Sequence, residues 1–257
     1  MKYKVALLGD SITQGIGSKK INYVEPLQKE LGDDYIIRNF AHTGTTINYA
    51  INMLEKLNEF SPDIIIVMYG NVDAQIRPNI YNNNIWCNII PKRYKLNGML
   101  DPRPFYSKKW YRYLPDRLDN MNRRIIRKYV EKTQGTCQWV SLEEFKEKYN
   151  LFLKNIDNKN AKIYLCSMIK LNEKYYKGCN EEYKRYNSEI YKLAKKYNHT
   201  YVDLYGYMEK VLNNYKWNEI YYFDHYHPNS KGYELIATLL STHIKGSKMN
   251  VSGSGDE

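Results

Sequence analysis

The sequence predicts an α/β fold, a five-stranded parallel sheet with helices on both faces, and three observations carry that prediction. Five apolar runs of strand length stand at residues 3–8, 35–40, 64–69, 163–168 and 200–204. Segments with helical spacing separate them, which is the signature of crossover connections between parallel strands. At 257 residues the chain is long enough to bury a large core without a disulfide or metal staple.

Each element follows from its own residues. Residues 1–9 are basic and then apolar, but the apolar part is too short for a signal peptide and runs into Gly9-Asp10-Ser11, so they read as a buried first strand. Val24, Leu27, Gln28 and Leu31 recur at helical spacing before the second strand. A second helix is expected over 46–60, with Ile47, Ile51, Leu54 and Leu57 inward, until Ser61-Pro62-Asp63 breaks the chain. Ser141 followed by Glu144 starts a capped helix whose buried stripe is Leu142, Phe145, Tyr149, Phe152, Leu153 and Ile156. Tyr183, Tyr186, Ile190, Leu193, Ala194 and Tyr197 mark the helix before the fifth strand. A last helix is expected over 230–243, and the Gly- and Ser-containing residues 246–257 read as a disordered tail.

The third and fourth strands lie more than ninety residues apart. Residues 1–245 therefore read as one domain with an insertion at about 77–140. The net charge of +11 concentrates there: residues 77–132 hold 14 Lys or Arg against 4 Asp or Glu, while the rest is close to neutral. Arg123, Arg124, Arg127 and Lys128 sit at helical spacing beside Ile125, Ile126, Tyr129 and Val130, an amphipathic pattern. Such a surface is either a solvated face or a site for an anionic partner. It carries no nucleic-acid recognition motif.

Composition excludes several classes. Hydrophobic residues at 43% are too many for a disordered chain, and no apolar run approaches the roughly 20 residues of a membrane span. Cys87, Cys137, Cys166 and Cys179 form no paired motif and there is no histidine cluster, which argues against a metal centre and fits reduced thiols in a cytoplasmic protein.

Two segments carry chemistry. The first strand ends in Gly9-Asp10-Ser11-Ile12-Thr13-Gln14-Gly15, which can expose a serine hydroxyl at the sheet edge; the alternative is a helix cap. Near the other end stands Asp224-His225-Tyr226-His227-Pro228-Asn229. A serine nucleophile needs a base of near-neutral pKa, and that imidazole needs a carboxylate to fix its tautomer. Asp224 and His227, three residues apart on a turn, meet both demands; His225 is the competing base, with its ring directed away from its neighbour. Ser11 follows the first strand and the Asp224–His227 pair the fifth, so a parallel sheet brings them to one edge.

With both segments present the chain resembles the SGNH (GDSL) hydrolase superfamily of esterases, over everything but the insertion and the tail. The resemblance implies a three-layer α/β/α sandwich of flavodoxin-like topology, with Ser11 as nucleophile, His227 as general base and Asp224 as its orienting carboxylate. Asn39-Phe40-Ala41-His42-Thr43-Gly44-Thr45 matches the family's second block and nominates the Gly44 N–H, with that of Ser11, for the oxyanion hole. The third block departs: the family reads Gly-x-Asn-Asp, this chain Gly70-Asn71-Val72-Asp73. Either Asn71 reaches the oxyanion hole through a shifted loop or it is an ordinary loop residue.

The stretch 70–78 also resembles a bacterial SGNH subgroup associated with surface polysaccharide loci. That resemblance carries Asp73 and Arg77 over as substrate contacts, against the reading that they pair with each other; Asp10 is counted with them. The implied activity is a serine esterase removing an acyl group, acetyl first among candidates, from a carbohydrate that an anionic form would suit. It implies no metal and no organic cofactor. An acyltransferase on the same machinery and a non-catalytic glycan-binding module are the rival readings.

Overall fold

The computed structural model describes residues 2–15, 22–81, 90–96, 98–101 and 109–252. Seven strands lie in this part of the chain: β1 (Tyr3–Gly9), β2 (Tyr35–Asn39), β3 (Ile64–Met68), β4 (Arg77–Pro78), β5 (Thr136–Cys137), β6 (Lys162–Cys166) and β7 (Thr200–Val202). The helices are α1 (Ser11–Gln14), α2 (Val24–Leu31), α3 (Ile47–Asn52), α4 (Leu54–Phe60), α5 (Trp110–Gln134), α6 (Leu142–Lys154), α7 (Cys179–Lys196), α8 (Leu204–Val211), α9 (Trp217–Ile220) and α10 (Ser230–Ser252).

The predicted parallel sheet is present, five strands in the order β2-β1-β3-β6-β7. Its central strands are buried on both faces: all five residues of β3 and the last five of β1 are enclosed. That explains why they read as unbroken apolar runs instead of alternating ones. α2 packs against α10, while α3, α6 and α7 pack in succession, which gives the three-layer α/β/α sandwich. Register levels the strand ends, pairing Gly9 with Met68 and Leu7 with Asn39. The loops after β1, β2 and β3 therefore leave the sheet side by side, where ligands of open α/β folds bind.

Three expectations need correction. The single helix expected over 46–60 is two, divided at Met53, whose N–H donates back to Tyr49 and Ala50; Ile51 and Leu54 next to the break are only half-buried. The last helix does not stop at His243, and residues 246–252 are not a coil, because α10 continues to Ser252. Gly246 costs about 1 kcal/mol relative to alanine, yet extending an established helix needs no new nucleus. The rest of the expected tail, 253–257, lies outside the described residues. So does Cys87, while Cys137, Cys166 and Cys179 are free thiols.

The segment between β3 and β6 closes on itself at its base. β4 pairs antiparallel with β5, Arg77 opposite Cys137 and Pro78 opposite Thr136. Beyond that ribbon Ile90, Tyr94, Leu100 and Val130 form a small apolar cluster of their own, with Ile126 and Tyr129 packed on it. α5 is amphipathic as expected, with Val130 fully buried, but Ile125 faces outward at 59% exposure and Arg123 inward at 3%. Among the described residues no helix is long and apolar enough to cross a membrane.

Candidate active site

β1 ends at Gly9, and the chain turns at once into the single helical turn of α1. Asp10 caps that turn, its Oδ1 accepting the Ile12 N–H at 2.9 Å. The cap directs Ser11 to the sheet edge, 7% exposed. A Cβ on Gly9 would lie 2.2 Å from Thr13 Oγ1 and 2.9 Å from the Met68 carbonyl, so only glycine fits between β1, β3 and the turn.

The Asp224–His227 turn is held from several sides. Tyr221 and Pro228 form an antiparallel bridge across its mouth, and the Tyr222 N–H donates to the His227 carbonyl at 2.9 Å. Asp224 Oδ1 accepts the N–H groups of Tyr226 and His227, each at 3.1 Å. Its Oδ2 lies 2.6 Å from His227 Nδ1, and the opposite ring nitrogen, Nε2, lies 2.8 Å from Ser11 Oγ. Asp224 is 3% exposed. A buried carboxylate against Nδ1 fixes the imidazole proton there and leaves Nε2 free to accept from the serine hydroxyl. Residues 216 positions apart thus meet in hydrogen-bonding range.

His225 takes no part in this chain. It adopts a left-handed backbone (φ 53°), its Nδ1 contacts the Asn172 amide at 3.0 Å, and its ring packs on Tyr175 and Trp217. Burial lowers its pKa.

The loop after β2 is pinned to the serine turn at both ends. The His42 N–H donates to the Gly9 carbonyl at 3.2 Å, and Thr43 donates twice to Gln14 Oε1, from N and from Oγ1, each at 2.6 Å. Gly44 sits at the loop tip with φ 73°, exposed. Among the described residues neither its N–H nor that of Ser11 has a hydrogen-bond partner. Two free backbone donors beside a serine are the material of an oxyanion hole.

The third loop is different. Asn71 is fully buried; its Oδ1 accepts the Ile169 N–H at 3.1 Å and its carbonyl accepts the Tyr183 hydroxyl at 2.6 Å. Among the described residues neither its Nδ2 nor Asp10 Oδ2 has a hydrogen-bond partner. Val72, in the place of the family's asparagine, is buried as an apolar residue.

Asp73 and Arg77 do not pair with each other. Asp73 accepts the N–H groups of Ile47 and Gly70 at 2.9 and 3.1 Å, tying the start of α3 to the loop after β3. Burial, with the Asp10 charge adding to it, pushes its carboxyl up to about 7. Arg77 bonds Asp101 at 3.0 Å, the Val72 carbonyl at 2.7 Å and Gln75 Oε1 at 2.6 Å, with its guanidinium 3.9 Å from the Trp139 ring centre. Asp10 is fully enclosed, and burial pushes its carboxyl up to about 6. All three expected substrate contacts are buried within the protein's own polar network.

Sequence reasoning missed two supports. Tyr176 donates its hydroxyl to the Asp224 carbonyl at 3.0 Å, and Gln14 anchors the Gly44 loop. Gln14 lies inside the serine motif, one turn after Ser11, and could have been noticed; nothing in the local pattern marks Tyr176.

Comparison with known proteins agrees with this fold. The sequence model of the GDSL-like Lipase/Acylhydrolase family matches residues 7–235. No curated protein matches the chain. Among solved structures, it is similar to a lipase/acylhydrolase from Enterococcus faecalis, with TM-score 0.61 and 16% identity over 95% of this chain and 96% of that one. It is also similar to an acetylxylan esterase from Geobacillus stearothermophilus, with TM-score 0.59 and 17% identity over 94% of both. A third similar structure is a GDSL-like lipase from Parabacteroides merdae, with TM-score 0.60 and 15% identity over 95% and 96%. The family match spans the serine turn, the Gly44 loop and the Asp224–His227 turn alike: this chain belongs to the GDSL-like lipase/acylhydrolase family.

Proposed function

We propose that the protein is a serine esterase that removes an acyl group, acetyl in the first instance, from a carbohydrate. Ser11 Oγ attacks the ester carbonyl carbon while its proton passes to His227 Nε2. The tetrahedral oxyanion is held by the N–H groups of Ser11 and Gly44. Collapse breaks the bond to the sugar oxygen, which leaves with the proton from His227, and the acyl group stays on Ser11. His227 then takes a proton from water, whose oxygen attacks the acyl-enzyme and frees the acid and the serine.

The observation that carries this reading is the unbroken chain Ser11 Oγ–His227 Nε2, 2.8 Å, and His227 Nδ1–Asp224 Oδ2, 2.6 Å, with the Ser11 and Gly44 N–H groups unpaired among the described residues. Family membership supports ester hydrolysis, and the likeness to an acetylxylan esterase supports an acetylated sugar. The test is Ser11→Ala. The wild type should hydrolyse p-nitrophenyl acetate and take a fluorophosphonate label, and the variant should do neither; undiminished turnover refutes the assignment.

A further inference from the structure

We propose that the cleft between α5 and the loop at 172–178 is a subsite for an anionic sugar of the substrate, one that bears a carboxylate or a phosphate. The proposal rests on the esterase reading for its chemistry, but its own support is electrostatic. The cleft encloses about 760 Å³, within the ~300–1,000 Å³ typical of small-ligand sites. α5 contributes Arg123, Arg124, Arg127 and Lys128 to its lining, and the opposite loop contributes Lys174 and Lys177; Asp101 and Glu131 are the carboxylates facing them.

Most of the compensating charge is already committed. Asp101 bonds Arg77, Glu131 bonds Arg127, and Arg123 bonds Asp119. Arg124, Lys128, Lys174 and Lys177 have no ion-pair partner among the described residues. Four uncompensated cations on two facing walls repel one another and focus a positive potential into the space between them, and an anion there relieves that repulsion. All four are exposed, yet they line one concavity instead of being spread over open surface, as a face kept basic for solubility alone would be.

The loop at 172–178 connects the cleft to the Asp224–His227 turn. Its Tyr175 ring packs on His225 at 4.8 Å, the adjoining Asn172 amide contacts His225 Nδ1 at 3.0 Å, and Tyr176 donates to the Asp224 carbonyl. Ile76, which also lines the cleft, ends the loop that leads from β3 to β4, and Arg127 donates to its carbonyl. One loop therefore lines the cleft and braces the turn that holds His227. Tyr175 gives the cleft an aromatic face as well as charge, which suits a ring that is apolar on one side and ionised at its edge.

The test uses the full chain and two variants, the triple substitution Arg124→Glu, Lys128→Glu, Lys177→Glu and the milder triple Arg124→Gln, Lys128→Gln, Lys177→Gln. For each, kcat/KM is measured on an O-acetylated oligogalacturonate, which is anionic, and on an O-acetylated xylo-oligosaccharide, which is neutral. Binding of trigalacturonate and of inorganic phosphate is followed by calorimetry. The ratio of kcat/KM, anionic over neutral, should exceed one in the wild type and fall about tenfold or more in the Glu variant, less in the Gln variant, mainly through KM and less steeply as salt is raised.

Whichever of the two anions binds the wild type more tightly identifies the group. An unchanged ratio, or an equal fall on both esters, overturns the proposal, as does equal binding of a single-stranded oligonucleotide. If no ester is turned over and Ser11 is not labelled, the esterase reading fails on its own. Trigalacturonate or phosphate binding that the Glu variant loses then still upholds the anion site, and its absence refutes it.

Discussion

Asp10 and Asn71 are fully buried neighbours, and among the described residues neither Asp10 Oδ2 nor Asn71 Nδ2 has a hydrogen-bond partner. Burial pushes the Asp10 carboxyl up to about 6, against the Ile12 N–H and, more weakly, the Asn71 amide, which favour its charged form. The Ile169 N–H on Oδ1 fixes which end of the amide is the donor, Nδ2, and that amide acts on the Asp10 carboxyl. The asparagine that stands one place early in the third block is thus built into the floor, while Val72 fills the family's position with an apolar side chain.

Asn71→Ala removes the acceptor of the Ile169 N–H and the neighbour of Asp10. Leaving buried polar groups unmatched costs about 1–3 kcal/mol each, so a lowered urea midpoint is expected. Losing an oxyanion donor costs about 10²–10³ in kcat, and the variant should lose less than that on p-nitrophenyl acetate. A fall of that size with stability intact would instead make Asn71 a donor to the transition state.

Gly44→Ala isolates the other donor. A Cβ there meets nothing within 4 Å, so the cost is the left-handed backbone at φ 73°, about 1–2 kcal/mol. The loop can relieve that strain by rotating the Gly44 peptide, which turns its N–H away. We expect kcat to fall about tenfold or more with at most the small stability loss of the strain. Full activity at reduced stability would remove Gly44 from the oxyanion hole.

How much of this was legible in the sequence depends on whether the signal was local. The strands were legible because a sheet covered on both sides writes uninterrupted apolar runs such as Ile64 to Met68. Ser11 was legible because it follows a strand directly, Gly44 through the resemblance of its block, and the Asp224–His227 pair because its two residues stand three apart in one short motif. Arg77 was not, since its partners Asp101 and Trp139 lie on loops whose meeting follows only from the closing of β4 on β5. Tyr176 was one tyrosine among 27. The break at Met53 escaped because the apolar spacing on both sides of it is helical.

Asp224→Asn separates orientation from folding. Asparagine keeps an oxygen for the Tyr226 and His227 N–H groups, so the turn should survive and the melting temperature should change little. In place of Oδ2 it offers an amide N–H or forces the other tautomer of His227, and the imidazolium loses its counter-charge. The expected fall in kcat is about 10²–10⁴, with KM nearly unchanged. Loss of stability without loss of kcat would make Asp224 a turn residue only.

Asp73 carries a pH dependence whose sign can be worked out. Its carboxyl titrates at about 7 in the folded chain and at the ordinary carboxylate value, 3.8, when unfolded. Between those values the folded state holds a proton that the unfolded state has released, so raising the pH destabilises the fold, at up to about 1.4 kcal/mol per pH unit for one group. The contribution is favourable at low pH, lost by about pH 7, and constant above. Asp73→Asn cannot titrate, and its amide sets an N–H against that of Ile47 or Gly70, so the variant should be the less stable of the two at pH 5. That deficit should shrink as the pH rises to 7 and then stop changing. His199, His225 and His243, whose pKa values burial lowers, are present in both chains and largely cancel in the difference. Urea midpoints at pH 5, 6, 7 and 8 measure it, and two parallel curves would mean that Asp73 is ionised throughout.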